Sequence, residues 1–146
     1  MDDDSFIDEL LSEADTKWKG SSTAKEIKEE IEEVVVDFFE PLLHYEKNKE
    51  NMKNILEKLS DYIYIHPDEP IFPGRYIRYL DSKYYDNCKL SKGEIVLKYE
   101  PEKDIILLKR FRGIFKIKKS KVCLFMKLNK TDKFRAFLNE YGDEYV

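Results

Sequence analysis

The chain has little of what unaided chemistry requires. Only two cysteines and two histidines occur in 146 residues. A zinc site needs about four such ligands at set spacing, and Cys88, Cys123, His44 and His66 are scattered. No metal and no cofactor is expected. Lys19-Gly20 and Lys92-Gly93 run opposite to the Gly-Lys order of a phosphate-cradling loop, which excludes a P-loop nucleotidase. A Cys-His nucleophile would need its partners to meet in space, and no spacing announces that. The chain is therefore read as a non-enzyme. No apolar run approaches the ~20 residues of a membrane-crossing helix, so no membrane partner is expected. The acidic start, Met1-Asp2-Asp3-Asp4, has the wrong charge for a secretory signal. An intracellular site is implied, in cytoplasm, nucleus or a packaged particle, where cysteines stay reduced. Cys88, in the polar stretch 86–89, reads as an accessible thiol. Cys123, within Val122-Cys123-Leu124-Phe125, reads as a buried one.

What is abundant is charge, and it is split. Residues 1–70 carry 20 Asp+Glu against 8 Lys+Arg, whereas residues 71–146 carry 18 Lys+Arg against 10 Asp+Glu. The printed net charge of −4 conceals an acidic half and a basic half, which suggests two surfaces with different tasks. Hydrophobic residues make up 42%, enough to build a core rather than a disordered tail.

Period identifies the elements. Phe6, Leu10, Leu11, Ala14 and Trp18 fall at helical spacing. Thr23-Ala24-Lys25-Glu26 is a capping box, followed by Ile27, Ile31, Val34, Val35, Phe38 and Leu42; Pro41 should stop or kink this helix near Glu40. A third helix is read over 48–62, with Met52, Ile55, Leu56, Leu59 and Ile63 as its stripe. Three prolines between His66 and Gly74 mark a linker. The period then falls to two: Tyr76–Asp81, Glu94–Tyr99, Ile105–Lys109, Ile114–Lys118 and 122–128 read as strands. Asn129 or Thr131 can cap a last helix with Phe134, Phe137, Leu138 and Tyr141 on its stripe. The expectation is an α+β chain: N-terminal amphipathic helices, a five-stranded antiparallel SH3-like small barrel, and a C-terminal helix. Its domains are an acidic helical region (1–66), a Pro-rich linker (67–74) and a basic barrel with its helix (75–146).

Pro73-Gly74-Arg75-Tyr76-Ile77-Arg78-Tyr79-Leu80-Asp81, Gly93-Glu94-Ile95-Val96 and Leu124-Phe125-Met126-Lys127-Leu128 together resemble short uncharacterised SH3-like proteins of large nucleocytoplasmic DNA viruses, including the marseillevirus group. The resemblance spans residues 73–128. It implies a viral origin and a non-enzymatic barrel, and it assigns no functional residue.

Two functions fit. The first is a non-catalytic interaction protein that self-associates, with other protein partners open to it. Helices that cannot cover their stripes alone commonly do so across a dimer, and the interface would use Phe6, Leu10, Leu11, Trp18, Ile27, Ile31, Val34 and Phe38. The second is nucleic-acid binding by the basic half, which holds 18 Lys+Arg and 7 Asp+Glu from Arg75 to Arg135. Lys109, Arg110, Arg112, Lys116, Lys118, Lys119 and Lys121 would then contact phosphates. Lys116 and Lys118 alternate with Phe115 and Ile117, so in a strand they share the outward face. An enzyme with a site invisible in sequence is the third reading. Tyr62, Tyr64, Tyr76, Tyr79, Tyr84, Tyr85 and Tyr99 suit a core, an aromatic peptide groove or base stacking.

Overall fold

The computed structural model describes residues 20–141. Two compact units are present: Ile27–Lys127, and a second that gathers the described residues 20–26 and 128–141.

Helix α1, Ala24–Phe39, begins as its sequence dictates. The Thr23 hydroxyl accepts from the Glu26 amide at 3.2 Å, and the Glu26 carboxylate accepts from the Thr23 amide at 3.1 Å. Pro41 cannot donate to a continuing helix, so α1 passes into one tight 3-10 turn at Glu40–Leu42. Helix α2 is Glu46–Lys58. It stops where Leu59 leaves helical geometry and the Tyr62 amide donates to the Leu59 carbonyl.

Six strands follow: β1 Tyr62–Ile65, β2 Tyr76–Asp81, β3 Glu94–Glu100, β4 Ile105–Arg110, β5 Gly113–Lys118 and β6 Val122–Lys127. They form one sheet in the order β1-β6-β2-β3-β4-β5, every neighbouring pair antiparallel. This corrects the expected five-stranded SH3-like barrel on two counts. Tyr62-Ile63-Tyr64-Ile65, read above as the end of a helical stripe, is a strand whose four residues all pair with β6. The sheet is also open. β1 and β5 lie at opposite ends of the order and do not pair, so nothing closes the cylinder.

On one face of the sheet, Tyr62, Leu80 and Phe125 pack with Ile31, Val35 and Phe39 of α1 and with Ile55 and Leu59. Burying each large apolar side chain contributes roughly 1.5–3 kcal/mol. Helices and sheet thus share one core, across the 67–74 stretch. Ile27 and Ile31 are buried within the single chain, with Val34 and Phe38 half-buried. A second copy is not needed to cover them. Phe6, Leu10, Leu11 and Trp18 lie outside the described residues.

In the second unit, helix α3 spans Lys130–Tyr141. Asn129 caps it: its side-chain oxygen accepts from the Asp132 amide at 2.8 Å, and its own amide donates to the Asp132 carboxylate at 2.9 Å. Asn139 donates to the carbonyls of Gly20 and Ser22, each at 3.0 Å. The buried side of α3 carries Asp132 and Ala136, while Phe134, Phe137, Leu138 and Tyr141 are exposed. The expected apolar stripe therefore faces outward, and the side fixed by the capping carboxylate faces in.

One buried amide ties the 82–93 connection to the helices. Asn48 of α2 is 0% exposed. Its Nδ2 donates to the Leu42 carbonyl at 2.9 Å and the Tyr85 carbonyl at 2.7 Å, and its Oδ1 accepts from the Cys88 amide at 2.9 Å. Asn51 adds a bond to Asn87 at 2.8 Å. Cys88 is consequently fully buried, against the sequence expectation of an accessible thiol, and Cys123 is half-buried against the core. Burial raises both thiols above their usual range.

Asn48→Ala strands three backbone groups in a dry site, each costing roughly 1–3 kcal/mol when left unmet. The substitution is expected to lower unfolding stability by about 3 kcal/mol in a denaturant melt. It should also make Cys88 react with a thiol reagent in the native state. A loss below about 1 kcal/mol with Cys88 still protected would show that the loop holds without Asn48.

A basic cleft as candidate functional site

A cleft of about 1400 Å³ lies between the 82–93 connection and the β4–β5 hairpin. Strand register builds its floor. Ile95 pairs with Lys109, so Glu94 on β3 faces Arg110 on β4. Leu108 pairs with Phe115 and Arg110 with Gly113. Ile77 pairs with Glu94, and Tyr79 lies two residues further along β2 on the same face. Tyr79, Glu94, Arg110 and Phe115 from four adjacent strands are thereby gathered at one end of one face.

Glu94 is 5% exposed. One carboxylate oxygen lies 3.7 Å from the Arg110 Nε, and the other is buried without a hydrogen-bond partner. Burial pushes the carboxyl above the usual Glu range, against the opposing pull of Arg110 and Ser91. The Arg110 guanidinium lies 3.5 Å from the centre of the Phe115 ring, and its charge acts on the Tyr79 phenol. Burial, then the Glu94 charge, raises that phenol above its usual value. Ser91 fixes the adjoining chain: its hydroxyl accepts from the Tyr79 amide at 2.9 Å and its amide donates to the Tyr79 carbonyl at 3.0 Å.

Gly93 makes the turn into β3. Its φ is +106°, and a β-carbon there would fall 2.0 Å from the Tyr76 hydroxyl, which donates to the Lys92 carbonyl at 3.1 Å. A side chain is excluded on both counts.

The walls are cationic. Lys47, Lys83, Lys89, Lys92, Arg110 and Arg112 line the cleft, against Asp81, Asp86 and Glu94, while Lys109 and Lys116 border it with their side chains on the opposite face of the sheet from Arg110 and Phe115. Apolar groups stand exposed among them: Phe111, 96% exposed at the tip of the hairpin, with Ile114 and Tyr84. Arg112 lies 5.8 Å from the Phe111 ring and Lys83 5.7 Å from that of Tyr84.

Of the seven cations singled out from sequence, Arg110 and Arg112 line this cleft, while Lys109 and Lys116 border it from the other face of β4 and β5. Lys118 and Lys121 are exposed elsewhere. Lys119 is buried. Its ammonium donates to the His66 carbonyl at 3.3 Å and to that of Pro67, and it lies 5.8 Å from the Tyr99 ring. Burial lowers its pKa. The expected lysine stripe breaks because the strand ends at Lys118 and residues Lys119–Lys121 turn back as a 3-10 turn, gripped by Asp104 through the Ser120 amide and hydroxyl. Sequence reading missed Glu94, Ser91 and Phe115. The available signal was parity: Glu94 shares its strand face with the inward Val96, and Arg110 with Ile106 and Leu108.

His66 pairs with Glu30 at 3.0 Å. Among the described residues no group of three or more His, Cys, Asp or Glu could hold a metal ion, and no helix is long and apolar enough to cross a membrane. No family model, curated protein or solved structure matches the chain.

Because the Glu94 carboxyl sits above its ordinary value, the folded chain binds this proton more tightly than the unfolded chain. The stabilisation is full below the ordinary value of 4.5 and is lost as pH rises toward the folded value. Subtracting the stability–pH curve of Glu94→Gln from that of the native chain should isolate a decline beginning near that pH. A flat difference curve would mean that Glu94 titrates as it does in the unfolded chain.

Proposed function

We propose that the chain is a non-catalytic binding protein that takes single-stranded nucleic acid in the basic cleft. The observation that carries this is Phe111, almost wholly in water at the hairpin tip and flanked in sequence by Arg110 and Arg112 on a cation-lined wall. Unstacked bases bind exposed aromatic rings, and cations beside the rings follow the phosphates. A duplex keeps its bases stacked and offers nothing to Phe111 or Tyr84. Nucleic-acid binding thus takes precedence over self-association, since Ile27 and Ile31, two of the eight residues that motivated a dimer, are covered within the chain.

Anisotropy of labelled single-stranded DNA and RNA, against duplex DNA, tests the reading at about 50 and 200 mM salt. Single strands should bind more tightly than duplex, and affinity should fall steeply with salt. Phe111→Ala should weaken single-strand binding about tenfold, in line with one lost stacking contact. Arg112→Gln should reduce the salt slope by about one unit for one lost phosphate contact. Absence of binding at the lower salt, or a preference for duplex, would refute the proposal.

A further inference from the structure

We infer that Arg110 is a stacking platform for a nucleobase rather than a phosphate clamp, an assignment that rests on the cleft binding single-stranded nucleic acid. A guanidinium has two faces and a rim of in-plane donors. On Arg110 the Nε edge is directed at Glu94, 3.7 Å away. One face lies on the Phe115 ring at 3.5 Å. The side chain is nonetheless 56% exposed. What remains toward the cleft is the second face of a plane whose position is fixed from below by Phe115 and along one edge by Glu94.

Charge argues the same way. Glu94 is 4% exposed at its side chain and sits beside the guanidinium, so it offsets much of the field a phosphate would feel. Lys83, Lys89 and Arg112, which also line the cleft, have no buried carboxylate beside them and suit phosphates better. A flat base needs no net positive charge. It needs a rigid polarisable surface, and guanidinium planes serve single-stranded bases in this way. Phe115, Arg110 and the base would then form a three-layer stack. The phosphates on either side would fall to the surrounding lysines.

Arg110→Lys separates the two roles. Lysine keeps the positive charge beside Glu94, so the carboxylate is not stranded, but it removes the plane. Thermal melting should confirm that the variant folds. On the stacking assignment, Arg110→Lys binds an intact oligonucleotide about tenfold more weakly than the native chain does, with the salt slope unchanged. An abasic site walked along the oligonucleotide should reach one position at which native and variant bind equally. Three results would overturn the inference. Affinity within twofold of native on the intact strand would show that charge alone matters. An equal loss on intact strands and at every abasic position would assign the defect to structure. A slope lowered by about one unit would make Arg110 a phosphate contact. Failure of the native chain to bind any single strand would remove the underlying reading as well, and that result is distinct from the other three.

Discussion

The structure depends on one buried side-chain amide. Asn48 uses both ends of its carboxamide at once, giving two protons and accepting one. The groups it satisfies come from the end of the turn after α1 and from the long connection between β2 and β3. A loop of that length has few contacts of its own and normally remains mobile. Here its middle is fixed to a helix that is itself fixed by Ile55 and Leu59 to the sheet. The result is a rigid wall opposite the β4–β5 hairpin. A buried polar group of this kind is expensive if any one bond is lost, so the wall is held in one place rather than merely near it.

The floor of the cleft follows from the short pairing of β2 with β3. Only Tyr76–Ile95 and Ile77–Glu94 pair directly. Beyond them Gly93 turns the chain away, and Ser91 replaces the missing ladder with its hydroxyl and amide. The strands part, and Glu94, which would otherwise sit in an apolar row with Val96, lies under the opening. Its charge is tolerated because Arg110 lies across from it in register. Ion pairs of this sort contribute little when exposed. With the carboxylate inside, removal of the cation would leave an uncompensated buried charge at a cost of roughly 3–5 kcal/mol. Arg110 is thus held by the fold as well as presented to solvent.

Local signals were legible in the sequence, and partner choice was not. The Thr23 capping box, the stop at Pro41, the Asn129 cap and five of the six strands follow from spacing alone. The sixth strand hid because Ile63 continues the helical period of Ile55 and Leu59, while Tyr62-Ile63-Tyr64-Ile65 also fits a period of two; β6, about sixty residues later, decides between them. The same distance explains the barrel. Alternation tells which residues face inward, and only the placing of β6 between β1 and β2 tells that the sheet stays open. Cys88 looked exposed because its neighbours are polar, yet those neighbours bond to α2. In the cleft, the rim cations were visible as a basic run, whereas Glu94 appeared to be one more charge on a strand.

The division of charge acquires a physical meaning in this fold. α1 carries Glu29, Glu32 and Glu33 on its exposed side, and it belongs to the same compact unit as the cationic cleft. The two signs are surfaces of one body, not two modules. At physiological salt, exposed charges act over about 8 Å, so a polyanion near the cleft responds to the local cations and not to the net −4. Elsewhere on the unit the acidic surface repels it. On the proposed reading, a single strand would follow the cationic lining and place its bases on rings. A stiff duplex presents a broad, uniformly charged surface and would bring its phosphates against acidic side chains sooner. On that reading the acidic excess would work as a filter for slender polyanions, which is the discrimination that a cleft with exposed rings and a fixed guanidinium plane could use.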